Sequence, residues 1–125
     1  MRQVNIAVMA GSFLLAAAIA GCSASGPTFK ESAEPSKSSI RAAEEVGAAK
    51  VPSAALYLQL AKEGLENARA LAAEGKKEQA ASMLKRAEAD AELAVTLSHE
   101  QAEKTEAAKA IERARQLRID NQLPN

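Results

Sequence analysis

Several side chains in this sequence have reactive chemistry, but most lack the company that chemistry needs. His99 is the only histidine, with Glu100 and Glu103 close behind it. A His-Glu pair can ligate zinc or share a proton, yet a metal site takes three or four convergent ligands and none are offered. A solvated histidine on a helix surface fits better. Glu88, Asp90 and Glu92 imitate an acid pair one helical turn apart, but Lys85 and Arg86 beside them make a salted solvent face the better reading. Tyr57, the lone aromatic in the part of the chain rich in helix formers, is either a plug between segments or a contact for a partner. That leaves Cys22. As the single cysteine it excludes an internal disulfide and a thiolate metal cluster. A thiolate is nonetheless nucleophilic enough to be alkylated where a serine is not. The small residues Ala20 and Gly21 before it keep the backbone accessible.

The surroundings of Cys22 give the thiol a context. Arg2 supplies a positive start, and Ile6 to Ile19 form an apolar stretch containing Val8, Met9, Phe13, Leu14 and Leu15. That stretch is shorter than the roughly 20 residues a membrane-crossing helix requires, so a removable export signal is expected over residues 1–21. The run Ile19-Ala20-Gly21-Cys22 resembles the lipobox of bacterial lipoproteins. The resemblance implies cleavage between Gly21 and Cys22 and a diacylglyceryl group on the Cys22 sulfur, with further acylation, by palmitate for example, at the new amino end. The covalent lipid would be the only prosthetic group, with no cofactor besides. Two or three acyl chains anchor firmly where one is marginal, at about 0.8 kcal/mol per buried CH₂. Ser23, where an aspartate would argue for retention, implies by the same resemblance transport to the outer membrane, with the folded part on the periplasmic face.

Residues 22–38 contain Gly26, Pro27, Pro35 and several serines, a composition that reads as a disordered tether of about 16 residues spanning about 20 to 25 Å. Phe29, the one apolar side chain of size there, could dip into the lipid interface or dock on the domain, and reads best as a solvated linker aromatic.

From Ser39 to residue 123 the chain is dominated by Ala, Glu, Lys, Arg, Leu and Gln, with few β-branched or aromatic residues, so an all-α domain is expected. Helices are predicted at about 39–49, 53–74 and 76–119. Pro52 ends the first and opens the second, Gly75 closes the second, and nothing interrupts the third for about 40 residues or roughly 60 Å. Leu58, Ala61, Leu65, Ala68 and Ala72 make one apolar stripe, and Ala80, Leu84, Ala87, Ala91, Ala94 and Leu97 answer it. The Glu74-Gly75-Lys76 turn makes the pair an antiparallel hairpin. Stepping by seven from Met83 gives Asp90, Leu97, Lys104, Ile111 and Arg118, which is no coiled-coil core. The distal half of the third helix lacks a partner. Segment one is a candidate to lie along it over Ala107, Ala108, Ile111, Ala114 and Leu117; pairing with another protomer and exposure to solvent are the alternatives.

The turn, Leu65 to Ala72, then Glu74-Gly75-Lys76-Lys77-Glu78-Gln79-Ala80, then Leu84 and Ala87, resembles one tetratricopeptide repeat. Solenoids need at least three, so shared hairpin physics accounts for it. The whole plan of lipobox, polar tether and Ala/Glu/Arg-rich helices, with an Ala-x-x-x-Leu-x-x-Ala helix meeting a Gly turn and a long second helix, is similar to short bacterial envelope lipoproteins. In these an Ala-rich helical domain of unknown function also occurs ahead of outer-membrane-protein-A-like domains. The similarity spans roughly Ser39 to Leu117 and implies no catalytic residues.

With 16 basic and 16 acidic residues, loss of Arg2 with the signal leaves a net charge of −1, which excludes a nucleic-acid surface. Lys109, Arg113, Arg115 and Arg118 gather near the C-terminus. They suit the helix dipole, and together with Tyr57 they are the candidate contacts for an acidic partner or the anionic cell wall. The expected function is a non-catalytic spacer or interaction module in envelope organisation. The alternative is an adaptor presenting its long helix to a periplasmic export or cell-wall complex. Self-association is compatible with either.

Overall fold

The structure, a computed structural model, describes residues 26–122. Helices α1 (Phe29–Ser32), α2 (Glu34–Glu45), α3 (Pro52–Ala73) and α4 (Lys77–Asp120), with a 3₁₀ turn at Ala48–Lys50, are the regular elements; no strand occurs among the described residues. The fold is all-α, a hairpin with a short leading helix and a long C-terminal one, as expected.

The expected tether is corrected over its second half, because the chain is helical from Phe29. Thr28 and Glu31 form a capping box. The Glu31 carboxylate accepts from the Thr28 backbone N–H at 2.7 Å, and the Thr28 hydroxyl accepts from the Glu31 N–H. Pro35 does not prevent helix here. It sits in the first turn of α2, where no N–H is needed, and its missing donor explains why the helix is interrupted at Ala33. The leading helix therefore starts five residues before the expected Ser39 and ends at Glu45, where Gly47 (φ 76°) turns the chain into the 3₁₀ segment. Residues 22–25 of the expected tether lie outside the described residues.

Gly75 (φ 78°) ends α3 in a Schellman motif: the Lys76 N–H reaches the Leu71 carbonyl at 2.9 Å and the Gly75 N–H the Ala72 carbonyl at 3.0 Å. The hairpin packs along Ala54, Leu58, Ala61 and Ala68 of α3 and Ala80, Leu84, Ala87, Ala91 and Ala94 of α4, all buried. The expected Leu97 packs half-buried against the core, and buried Ser98 beside it closes the α4 seam. Counted from Ala80 the 3-4 rhythm is unbroken to Ser98; the count from Met83 starts on a neighbouring face.

Helix α2 completes a three-helix bundle by lying in the groove of the hairpin. Ala33 packs with Ala68 and Leu84, and Ile40 and Ala43 join Leu58, Ala61, Ala91 and Ala94. Buried Ser36 donates its hydroxyl to the Leu84 carbonyl at 2.8 Å, and Lys62 pairs with Glu44 across α2 and α3. Segment one thus covers the hairpin and leaves Ala107, Ala108, Ile111, Ala114 and Leu117 bare. Phe29, expected in solvent, is half-buried against Ala33, Ala68 and Leu84. Ten of the thirteen buried apolar residues are alanine, so the helices approach closely but little apolar area leaves water per residue.

Candidate functional site

Two regions of the molecule carry what the sequence singled out. At one end, beside the hairpin turn, the described chain begins. Gly26, Pro27 and Phe29 line a cleft of about 310 Å³ with Ala72, Ala80, Ala81 and Leu84. Gly21 and Cys22, the cleavage and lipidation residues of the sequence reading, lie outside the described residues, five and four positions before Gly26. No helix among the described residues is long and apolar enough to cross a membrane.

At the other end α4 leaves the bundle. Every residue from His99 to Gln122 is exposed, so more than twenty residues form an arm that buries no side chain among the described residues. A shallow cleft of about 490 Å³ marks its base, between Val46, Gly47, Lys50 and Val51 on one side and Ser98, Gln101, Ala102 and Thr105 on the other. Helical geometry explains why the bundle stops there. The face buried from Ala80 to Ser98 continues as Ala102, Thr105, Lys109, Glu112 and Gln116, polar from Thr105 onward. The arm's own apolar residues emerge elsewhere. At about 100° per residue, Ala107, Ala110, Ile111, Ala114 and Leu117 fall within about 120° of arc, centred almost diametrically opposite the bundle seam. Ile111 is 63% and Leu117 62% exposed. No described element could cover that stripe by extending the bundle.

The four C-terminal cations all lie on this arm. Lys109 pairs with Glu106 at 2.9 Å and Arg115 with Glu112 at 3.2 Å, whereas Arg113 and Arg118 make no ion pair among the described residues. Tyr57 is on the bundle instead, half-buried against the cluster around Ile40, Leu58 and Ala94, so the structure does not bring it together with the cations. His99 is exposed, Glu88 and Asp90 are half-buried, Glu92 is exposed, and Arg86 approaches Asp90 at 3.9 Å. Among the described residues no three His, Cys, Asp or Glu side chains converge as metal ligands.

Electrostatics at the hairpin-turn end are local. The Glu31 carboxyl is held below its ordinary value first by the Thr28 backbone N–H and then by the Thr28 hydroxyl; that of Glu34 is lowered by its hydrogen bond and attraction to Lys37. Sequence reasoning passed over the capping box, whose Thr-x-x-Glu spacing was legible, and buried Ser36, whose role depends on a carbonyl 48 positions away. No protein-family model, curated protein or solved structure matches the chain.

Proposed function

We propose that this chain is a non-catalytic lipoprotein, anchored through diacylglycerol on Cys22 at the periplasmic face of the outer membrane, and that its helical domain is a spacer and interaction module in envelope organisation. The observation that carries the reading is the polarity of the fold. The chain downstream of Cys22 enters the bundle at the hairpin-turn end, and the arm leaves at the opposite end. Four residue steps from Cys22 to Gly26 span at most about 14 Å, so an anchor there holds the bundle near the lipid. The 44-residue α4 then carries its tip about 66 Å further from the turn. The lipobox-like run Ile19-Ala20-Gly21-Cys22 supports the anchor, and the similarity to short envelope lipoproteins supports the setting.

The adaptor reading draws on a separate observation, the exposed arm with Arg113 and Arg118 unpaired among the described residues. Crosslinking in cells separates the two: one stoichiometric partner, lost when Arg113 and Arg118 are replaced, favours the adaptor, while binding of the chain to isolated cell wall favours the spacer. The anchor is tested by metabolic palmitate labelling. Label in the parent chain and none in Cys22→Ser is expected; label persisting in Cys22→Ser, at an unchanged processing site, defeats the lipid reading. Turnover of any substrate dependent on Glu88, Glu92 or His99 would defeat the non-catalytic one.

A further inference from the structure

The arm presents a helix face that nothing among the described residues covers, and its residue order specifies what can. A symmetric antiparallel pair requires the surface to map onto itself when one copy is reversed. The stripe does so about a point between Ala110 and Ile111: reversal sets Ala107 opposite Ala114 and Ala110 opposite Ile111, so the four central positions exchange among themselves. The apolar line Ala107, Ala110, Ala114 and Leu117 keeps the 3-4-3 spacing of the bundle's own seams, and three of its four members are alanine, which admits close helix approach.

Charge decides the direction. Between His99 and Glu106 stand Glu100, Glu103 and Glu106 against Lys104, a net charge of −2. Between Ala107 and Asp120 stand Lys109, Arg113, Arg115 and Arg118 against Glu112 and Asp120, a net of +2. A parallel pair stacks like on like; an antiparallel pair lays each acidic half on the basic half of its mate.

We propose that the arm's partner is a second copy of this chain, packed antiparallel over residues 100–121 with the two-fold axis between Ala110 and Ile111. Glu103 then faces Arg118 of the second copy across the seam, and Glu106 lies beside its Arg113. These two arginines are the arm's cations without an ion pair among the described residues. Leu117 lies on the methylene stem of the mate's Lys104. Lys104 also nears Arg115 and Arg118 of the mate, a like-charge approach tempered by the existing Lys104–Glu100 and Arg115–Glu112 pairs. The bundles end up at opposite ends of a rod of about 100 Å, with about 33 Å of overlap. This deepens the interaction-module reading and needs no lipid on Cys22.

Disulfide trapping and sedimentation test the proposal on the detergent-solubilised full chain. With Cys22→Ser in both, differently tagged Ala107→Cys and Ala114→Cys chains are mixed and oxidised. The mixed 107–114 disulfide is expected and the 107–107 disulfide is not; the reverse pattern, or none, overturns the proposal. In sedimentation the parent chain is expected to form a concentration-dependent dimer that salt weakens. Glu106→Arg or Arg113→Glu alone should weaken it about tenfold, and the two together should restore it. A chain that stays monomeric overturns the proposal even if the arm then captures a different protein. The substituted positions are exposed and bury nothing in the bundle, so an unchanged helical signal shows that folding is intact. Palmitate labelling of the parent chain reads the anchor independently of either result.

Discussion

Gly64 shows how a residue with no side chain sets the spacing of the bundle. A Cβ placed on it would meet the Ala87 Cβ at 3.1 Å, tighter than ordinary van der Waals contact, so α3 and α4 approach as closely as they do because both positions are minimal. Two effects oppose each other in Gly64→Ala. The helix gains about 1 kcal/mol of propensity, while the neighbouring methyl must yield a few tenths of an ångström. Denaturant titration should find Gly64→Ala within about 1 kcal/mol of the parent, whereas Gly64→Leu forces the seam apart and should lose about 1 to 3 kcal/mol or more. Equal stability for both would mean the seam is looser than the contact implies. The capping box gives a second prediction at this scale. Because the folded Glu31 carboxyl holds its proton less tightly than an unfolded one, its contribution to α1 is fully present above the ordinary glutamate range and is lost as pH falls through the lowered value. Protection of the Thr28 and Glu31 amides, measured against the intrinsic exchange rate at each pH, should fall across that acidic interval, and Thr28→Ala should remove this loss. The alanine stripes were legible because burial in a helix imposes a period. Thr28 and Glu31 were equally legible as a spacing, but the serines and prolines around them were weighed as composition. Ser36 was not, since a hydroxyl in a serine-rich stretch looks the same whether it meets water or the Leu84 carbonyl.

At the scale of elements, local signals and non-local ones separate cleanly. Gly75 and Pro52 act on their own backbone, and the boundaries read from them, about residue 53 to 74 for α3, agree with Pro52–Ala73 to within a residue. The start of α2 depended on weighing Pro35 as a first-turn residue and not as a breaker, and its destination depended on which groove offered partners. The hairpin offers Leu58, Ala61, Ala91 and Ala94 to Ile40 and Ala43; the arm offers a stripe on its far side. Ile40, 7% exposed, is the largest apolar side chain that α2 buries, so much of the docking energy rests on it. Ile40→Ala should destabilise by about 2 to 4 kcal/mol, and the loss should be uneven. Hydrogen exchange is expected to show α2 amides losing protection before those of α3 and the bundle half of α4, because the hairpin keeps its own seam when α2 lifts away. Uniform loss across all three helices would make the bundle one cooperative unit and remove any independent status from the hairpin.

Across the described residues, the division is between a bundle that holds every buried residue and an arm that holds none. The arm is helical without tertiary support for a reason its residues supply. The bundle has already formed the helix that the arm extends, so only propagation remains, and the costly nucleation step is absent. Alanine, glutamate, lysine and arginine propagate well, and the Lys104–Glu100, Lys109–Glu106 and Arg115–Glu112 pairs each add about 0.2 to 0.5 kcal/mol. Support that arrives only from one end must decay toward the other. In dilute solution, amide protection should fall steadily from Ser98 to Asp120, and ending the chain at Glu100 should reduce helical ellipticity while leaving the melting temperature of the bundle unchanged. A drop in that temperature would show the arm docked on the bundle. At high concentration the gradient should flatten over residues 100–121, where two arms meet, because the arm is then held by the bundle at its base and by its mate along its length.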